Sequence, residues 1–243
     1  MTSLVRRRAA RAALVAFALP VLAGVGGGAL AQPATPAAGV LPGDPVAIDC
    51  GGDGTPVAGA ATPVPAAATF TIVGEQSVAR YHAHEVLKDV GAQDPVGETR
   101  AVIGAVLFDA DGRALPCSRF AVDMRTLETD QPRRDNYLRN NTLETDKYPA
   151  AIFIVTSVEG LGGPLEEGKE ASFRLVGNLE IHGVTRRVAW DATAVKKGDE
   201  ITGKATTTFH MPDFGITPPK VGPVQSIQDD VQLEIEITAR KAA

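Results

Sequence analysis

The sequence predicts an all-β fold: one antiparallel β-barrel of about eight strands with a single short helix. Three observations predict it. Segment after segment alternates apolar and polar residues with a period of two. Turn sequences such as Asp109-Ala110-Asp111-Gly112 and Lys196-Lys197-Gly198-Asp199 separate those segments. Only one stretch reads as helix, so the dry face of the sheet has no helical layer to cover it and must curl on itself.

The chain opens with Arg6, Arg7, Arg8 and Arg11, then an apolar run over 12–30 broken by Pro20 and a group of glycines. Ala29-Leu30-Ala31 supplies a small-x-small cleavage pattern. Residues 1–31 therefore read as a secretory signal peptide, which makes the protein exported: periplasmic, cell-surface or extracellular. The alternative is a retained membrane anchor, which the glycines would weaken. Without 1–31 the chain keeps 20 Lys and Arg against 29 Asp and Glu, a net charge of −9. An acidic surface repels phosphate backbones, so nucleic acid is excluded as a partner.

Residues 32–68 form a linker. Of these 37 residues 23 are Ala, Pro or Gly, too little apolar surface to offset the entropy of ordering, and the expectation is a disordered spacer. The only cysteines are Cys50 in this linker and Cys117 beyond it. In an exported chain a disulfide between them is the default; free or intermolecular thiols are the alternative. One pair of thiols makes no structural zinc site, which needs four ligands.

The domain spans 69–243. Strands are expected at 69–73, 77–87, 97–108, 118–125, 151–158, 171–181, 185–195, 201–210 and 227–239. The last is the clearest: Val231, Leu233, Ile235 and Ile237 share one face and Gln232, Glu234, Glu236 and Thr238 the other. The helix is expected at 132–140, capped by Asp130, as a surface crossover at one end of the barrel. Small residues recur in the strands, among them Ala79, Ala83, Gly177, Gly203 and Ala205, and aromatics are 5% of the chain. An eight-stranded interior is either filled by side chains or holds one small ligand. Few bulky residues favour a hollow interior, while glycines at bends would explain the same pattern with a filled one.

Three motifs narrow this. They are 178–188 (Asn-Leu-Glu-Ile-His-Gly-Val-Thr-Arg-Arg-Val), 213–216 (Asp-Phe-Gly-Ile) and 143–153 (Leu-Glu-Thr-Asp-Lys-Tyr-Pro-Ala-Ala-Ile-Phe). In type and order they resemble the YceI-like family over 69–240. Two departures stand out: Thr142 and Leu143 occupy positions where the family often has aromatics, and Met211 one where it commonly has Arg. The resemblance implies a lipocalin-like barrel with a long internal pocket for a polyisoprenoid or isoprenoid-quinone tail, hence a binding protein with no cofactor.

The expected pocket wall is Tyr81, Phe120, Phe153, Phe173, Trp190, Phe209 and Phe214, set against plain core packing of the same residues. His82 and His84 have the spacing of a metal pair, but Ala79, Tyr81 and Ala83 form the drier face, so both imidazoles should point outward and no metal site is expected. Ser77, Ser118 and Ser157 lack a nucleophile-elbow context, and Asp123 with Arg119 and Arg125 reads as a surface ion-pair row, so no catalytic residues are assigned. Two other functions remain open: a ligand-free stress or interaction module, and a barrel enzyme acting on a lipid-like substrate. An exposed barrel edge would allow a homodimer.

Overall fold

A computed structural model describes residues 39–41, 49–50, 56–57, 66–222 and 224–242. The signal segment assigned to 1–31 and most of the linker lie outside the described residues.

The strands are, in chain order, β1 Asp49–Cys50, β2 Pro56–Val57, β3 Ala68–Ile72, β4 Val78–His82, β5 Glu85–Leu87, β6 Gly91–Gln93, β7 Val96–Thr99, β8 Val102–Phe108, β9 Arg119–Asp123, β10 Ala150–Glu159, β11 Glu170–Ile181, β12 Val184–Lys197, β13 Glu200–His210, β14 Val224–Ile227 and β15 Asp230–Lys241. The helix α1 is Pro132–Tyr137. β3 and β4 are two halves of one barrel strand, and so are β7 and β8: β3 pairs with β8, β4 with β7, and β15 runs along both β3 and β4. The order is then β8, β9, β10, β11, β12, β13, β15 and back to β3, all antiparallel, and the β13–β15 pairing closes an eight-stranded barrel. Apart from the closing contact of β15 with β3 and β4, each barrel strand lies beside the barrel strand that follows it in sequence.

The expected strand at 77–87 is broken after His82, and that at 97–108 after Thr99. The break between β3 and β4 takes Ser77 out of the ladder. Its hydroxyl, fully buried, donates to Val73 O and accepts the Thr238 N–H that would otherwise be orphaned. Ser118 does the same elsewhere: its hydroxyl accepts from Leu107 N–H and donates to Leu115 O. The detached β5 and β6 join β14 in a separate three-stranded sheet.

The helix is shorter than expected. It passes at Leu138–Thr142 into a wider π turn. Asp130 does not cap it but pairs with Arg134 at 2.6 Å; Asp135, inside the first turn, is buried and accepts from the N–H and hydroxyl of Thr129.

Along β15 the alternation places Val231, Leu233, Ile235 and Ile237 inside. Outside, Glu234 bridges Arg80 on β4 at 2.9 Å and Lys204 on β13 at 2.7 Å. The Lys204 ammonium, then the Arg80 guanidinium, hold the Glu234 carboxyl below its ordinary range against the opposing effect of burial.

Candidate functional site

The inner faces enclose an apolar cavity of about 680 Å³ that runs along the barrel. This falls within the ~300–1,000 Å³ usual for small-molecule sites. At one end it is bounded by α1 and the β5–β6–β14 sheet, through Leu87, Tyr137, Leu138, Val224 and Ile227; toward the other it reaches Leu161, Leu165 and Phe108. The strand period sets which residues face it. On β12, Trp190, Ala192 and Ala194 do so in the middle and lower part; on β13, Ile201, Gly203, Ala205 and Phe209. The small residues on these two strands leave the space that bulky ones would fill.

Six of the seven wall residues expected from sequence line this cavity: Tyr81, Phe120, Phe153, Phe173, Trp190 and Phe209. Phe153 lies between Phe120 and Trp190, with ring centroids at 6.3 and 5.7 Å. Phe214 is not on the wall. It is completely buried behind it and packs edge-on against Phe209 at 4.9 Å. Lining residues that periodicity could not find come from irregular segments: Leu127, Leu138, Leu143, Ile216 and Val221. Leu143, at a family-aromatic position, thus contributes to the wall.

Polar groups gather at the α1 end. Arg134 reaches from α1 to Glu85 on β5 at 3.0 Å, and both side chains are largely buried, which ties the helix to the small sheet. Burial pushes the nearby Tyr81 phenol up to about 12, with the Arg134 charge opposing the rise. Two lining residues carry buried polar atoms without a hydrogen-bond partner, Trp190 Nε1 and Thr142 Oγ1. Each such atom costs ~1–3 kcal/mol unless something completes it.

Cys50 and Cys117 are joined as a disulfide, with Cα atoms 5.7 Å apart. His84 Nδ1 lies 2.5 Å from Asp94, and His82 Nε2 is buried with no partner; no third ligand joins the two histidines among the described residues. The residues that do converge are His210, Asp229 and Asp230, where β13 meets β15, with His210 Nδ1 2.5 Å from Asp230 and 3.6 Å from Asp229. Both carboxylates are half exposed.

The sequence motifs have a local job. His182 and Gly183 form the β11–β12 turn, both with positive φ (53° and 71°). His182 Nε2 contacts Glu144 at 2.9 Å and its ring meets Tyr148 edge-on at 4.7 Å. The 143–153 and 178–188 motifs thus hold each other.

Comparison with known proteins gives a consistent result. The profile of the YceI-like domain matches residues 69–239. A UPF0312 protein of Pseudomonas putida strain W619 is 31% identical over 136 residues, 52% of this chain and 67% of the relative. A UPF0312 protein of Shewanella sp. strain ANA-3 is 30% identical over 128 residues, 50% of this chain and 63% of the relative. Among solved structures, Burkholderia cenocepacia BcnA superposes with a TM-score of 0.54 at 16% identity, covering 69% of this chain and 98% of that one. A polyisoprenoid binding domain from Saccharophagus degradans, implicated in plant cell wall breakdown, gives 0.54 at 13% identity, covering 73% and 100%. At these identities the two structures speak for the fold.

Proposed function

Because the chain belongs to the YceI-like domain family, we propose that it is an exported binding protein that sequesters or carries a polyisoprenoid or isoprenoid-quinone-type lipid, and that it performs no catalysis of its own. The observation that carries this reading is the cavity: about 680 Å³, running along the barrel and presenting mostly apolar surface, with polar side chains gathered at the α1 end. Each CH₂ moved from water into such a space contributes ~0.8 kcal/mol, so a long tail binds without many polar contacts. The polyisoprenoid binding named for the Saccharophagus degradans domain supports the ligand class. The hydroxyls of Ser77 and Ser118 are engaged by backbone groups, which fits a binding role. Export is supported by the layout of residues 1–31.

Native mass spectrometry of protein purified from its own host tests the reading. The expected spectrum shows a lipid adduct that organic extraction removes. Double substitution Trp190→Arg and Phe209→Arg should abolish the adduct. An empty barrel from the native host, or full lipid loading in the doubly substituted protein, would rule the proposal out.

A further inference from the structure

The ladder between β12 and β13 runs from Lys197↔Glu200 to Asp191↔Thr206 and stops there. Beyond it, residues 184–190 of β12 keep a backbone ladder only with β11 and residues 207–210 of β13 only with β15, and a single side-chain bond, from the Thr207 hydroxyl to Ala189 O at 2.9 Å, still joins the two strands. The wall has a seam. The turn Met211–Phe214 folds back at one part of it, with Phe214 buried against Phe209. The rest is filled by the linker. Gly39 N–H donates to Thr208 O at 3.0 Å, Gly39 O accepts from Ala189 N–H at 2.8 Å, and Leu41 N–H donates to Arg187 O at 2.9 Å. Val40 stands opposite Val188 and packs on the same apolar cluster as Trp190 and Phe209. One three-residue piece therefore bonds both lips of the seam.

The fit is specific. A Cβ on Gly39 would lie 1.9 Å from Thr207 Oγ1 and 2.5 Å from Thr208 O, so no larger residue enters without parting the strands. Farther along the same linker, Cys50 is covalently fixed to the barrel at Cys117. That bond keeps the piece at high effective concentration beside the seam.

We infer that residues 39–41 are a strap that closes a lateral opening of the barrel cavity, kept in reach by the Cys50–Cys117 bond, and that an apolar ligand exchanges through this seam when the strap leaves. The exchange step rests on the binding role proposed above; the sealing step does not.

Trp190 is the only tryptophan of the chain, adjoins Ala189 on the seam and lines the cavity, so its fluorescence reports sealing directly. The test compares the full chain with Gly39→Val and Val40→Asp, and with the unsubstituted protein after disulfide reduction. Acrylamide quenching of Trp190 should rise severalfold in both variants, with emission moving to longer wavelength and a cooperative melt retained, and should rise less on reduction. Quenching and emission unchanged in the variants would overturn the strap. Should a variant fail to fold, the reduced protein decides: faster hydrogen exchange of the Ala189 N–H with unchanged Trp190 quenching overturns the seal, and no change in either overturns the tether by the disulfide. Release of a bound apolar naphthylamine dye should speed up severalfold in the variants; release at the unsubstituted rate overturns exchange through the seam. If the dye does not bind even the unsubstituted protein, the binding role fails, while Trp190 quenching still decides the strap.

Discussion

Phe214 and Trp190 are both large, buried aromatics, yet they stand on opposite sides of one boundary. Phe214 has no exposed surface and fills space behind the wall; Trp190 faces the cavity. Phe214→Ala should lower stability by ~3–5 kcal/mol in urea unfolding while lipid still binds, because the void opens in packed core. Trp190→Ala should change lipid occupancy as well, since it alters the wall itself. Retained stability in Phe214→Ala would contradict its place in the core. Tyr81 gives a pH test. Its folded phenol ionises at about 12 against an ordinary 10.0, so folding favours the neutral form. That contribution is fully present below the ordinary value and is lost as pH rises through about 12. Ultraviolet titration should show one of the three tyrosines ionising late, and Tyr81→Phe should remove that late step. Aromatic content made six of the wall residues legible in the sequence. It could not separate Phe214 from them, because facing a cavity and facing the core are equally dry.

At the scale of elements, the turn at His182 and Gly183 shows what the family motif does. Gly183 has φ 71°, and a Cβ there would lie 2.5 Å from the Tyr148 ring. Gly183→Val should therefore cost ~1–3 kcal/mol from backbone strain, with further loss as Tyr148 is displaced. Thermal unfolding measures this; a melting temperature equal to that of the unsubstituted protein would mean the turn is not so constrained. The regular strands were legible because period-two alternation is a local property. Their interruptions after His82 and after Thr99 were not, since each depends on a partner distant in sequence: β5 leaves the barrel to pair with β14, and Glu98 at the end of β7 bridges to Glu128. The helix was legible as an element, but its start was not: Gln131 holds the cap position without a side-chain bond, while Asp130 is taken by Arg134 and Asp135 by Thr129.

For the whole molecule, the disulfide joins residues 67 positions apart. Closing so long a loop restricts the unfolded chain, and the chain-entropy account gives up to about 4 kcal/mol. The pair Cys50→Ser and Cys117→Ser should lose a large part of this in denaturant unfolding; no change in midpoint would show that the bond leaves the domain's stability untouched. The sequence by itself determined the all-β class, the closed sheet, the acidic surface and the dry face of each long strand. These follow from alternation and composition, which each segment carries on its own. Only the tertiary structure decided that the interior is hollow, that Leu127, Leu138 and Val221 complete its wall, and that Gly39–Leu41 of the Ala/Pro/Gly-rich linker sits in the barrel wall. A cavity is the volume left between eight strands, and a seam is a place where two of them part. Neither quantity belongs to any one segment, so no local pattern can encode it.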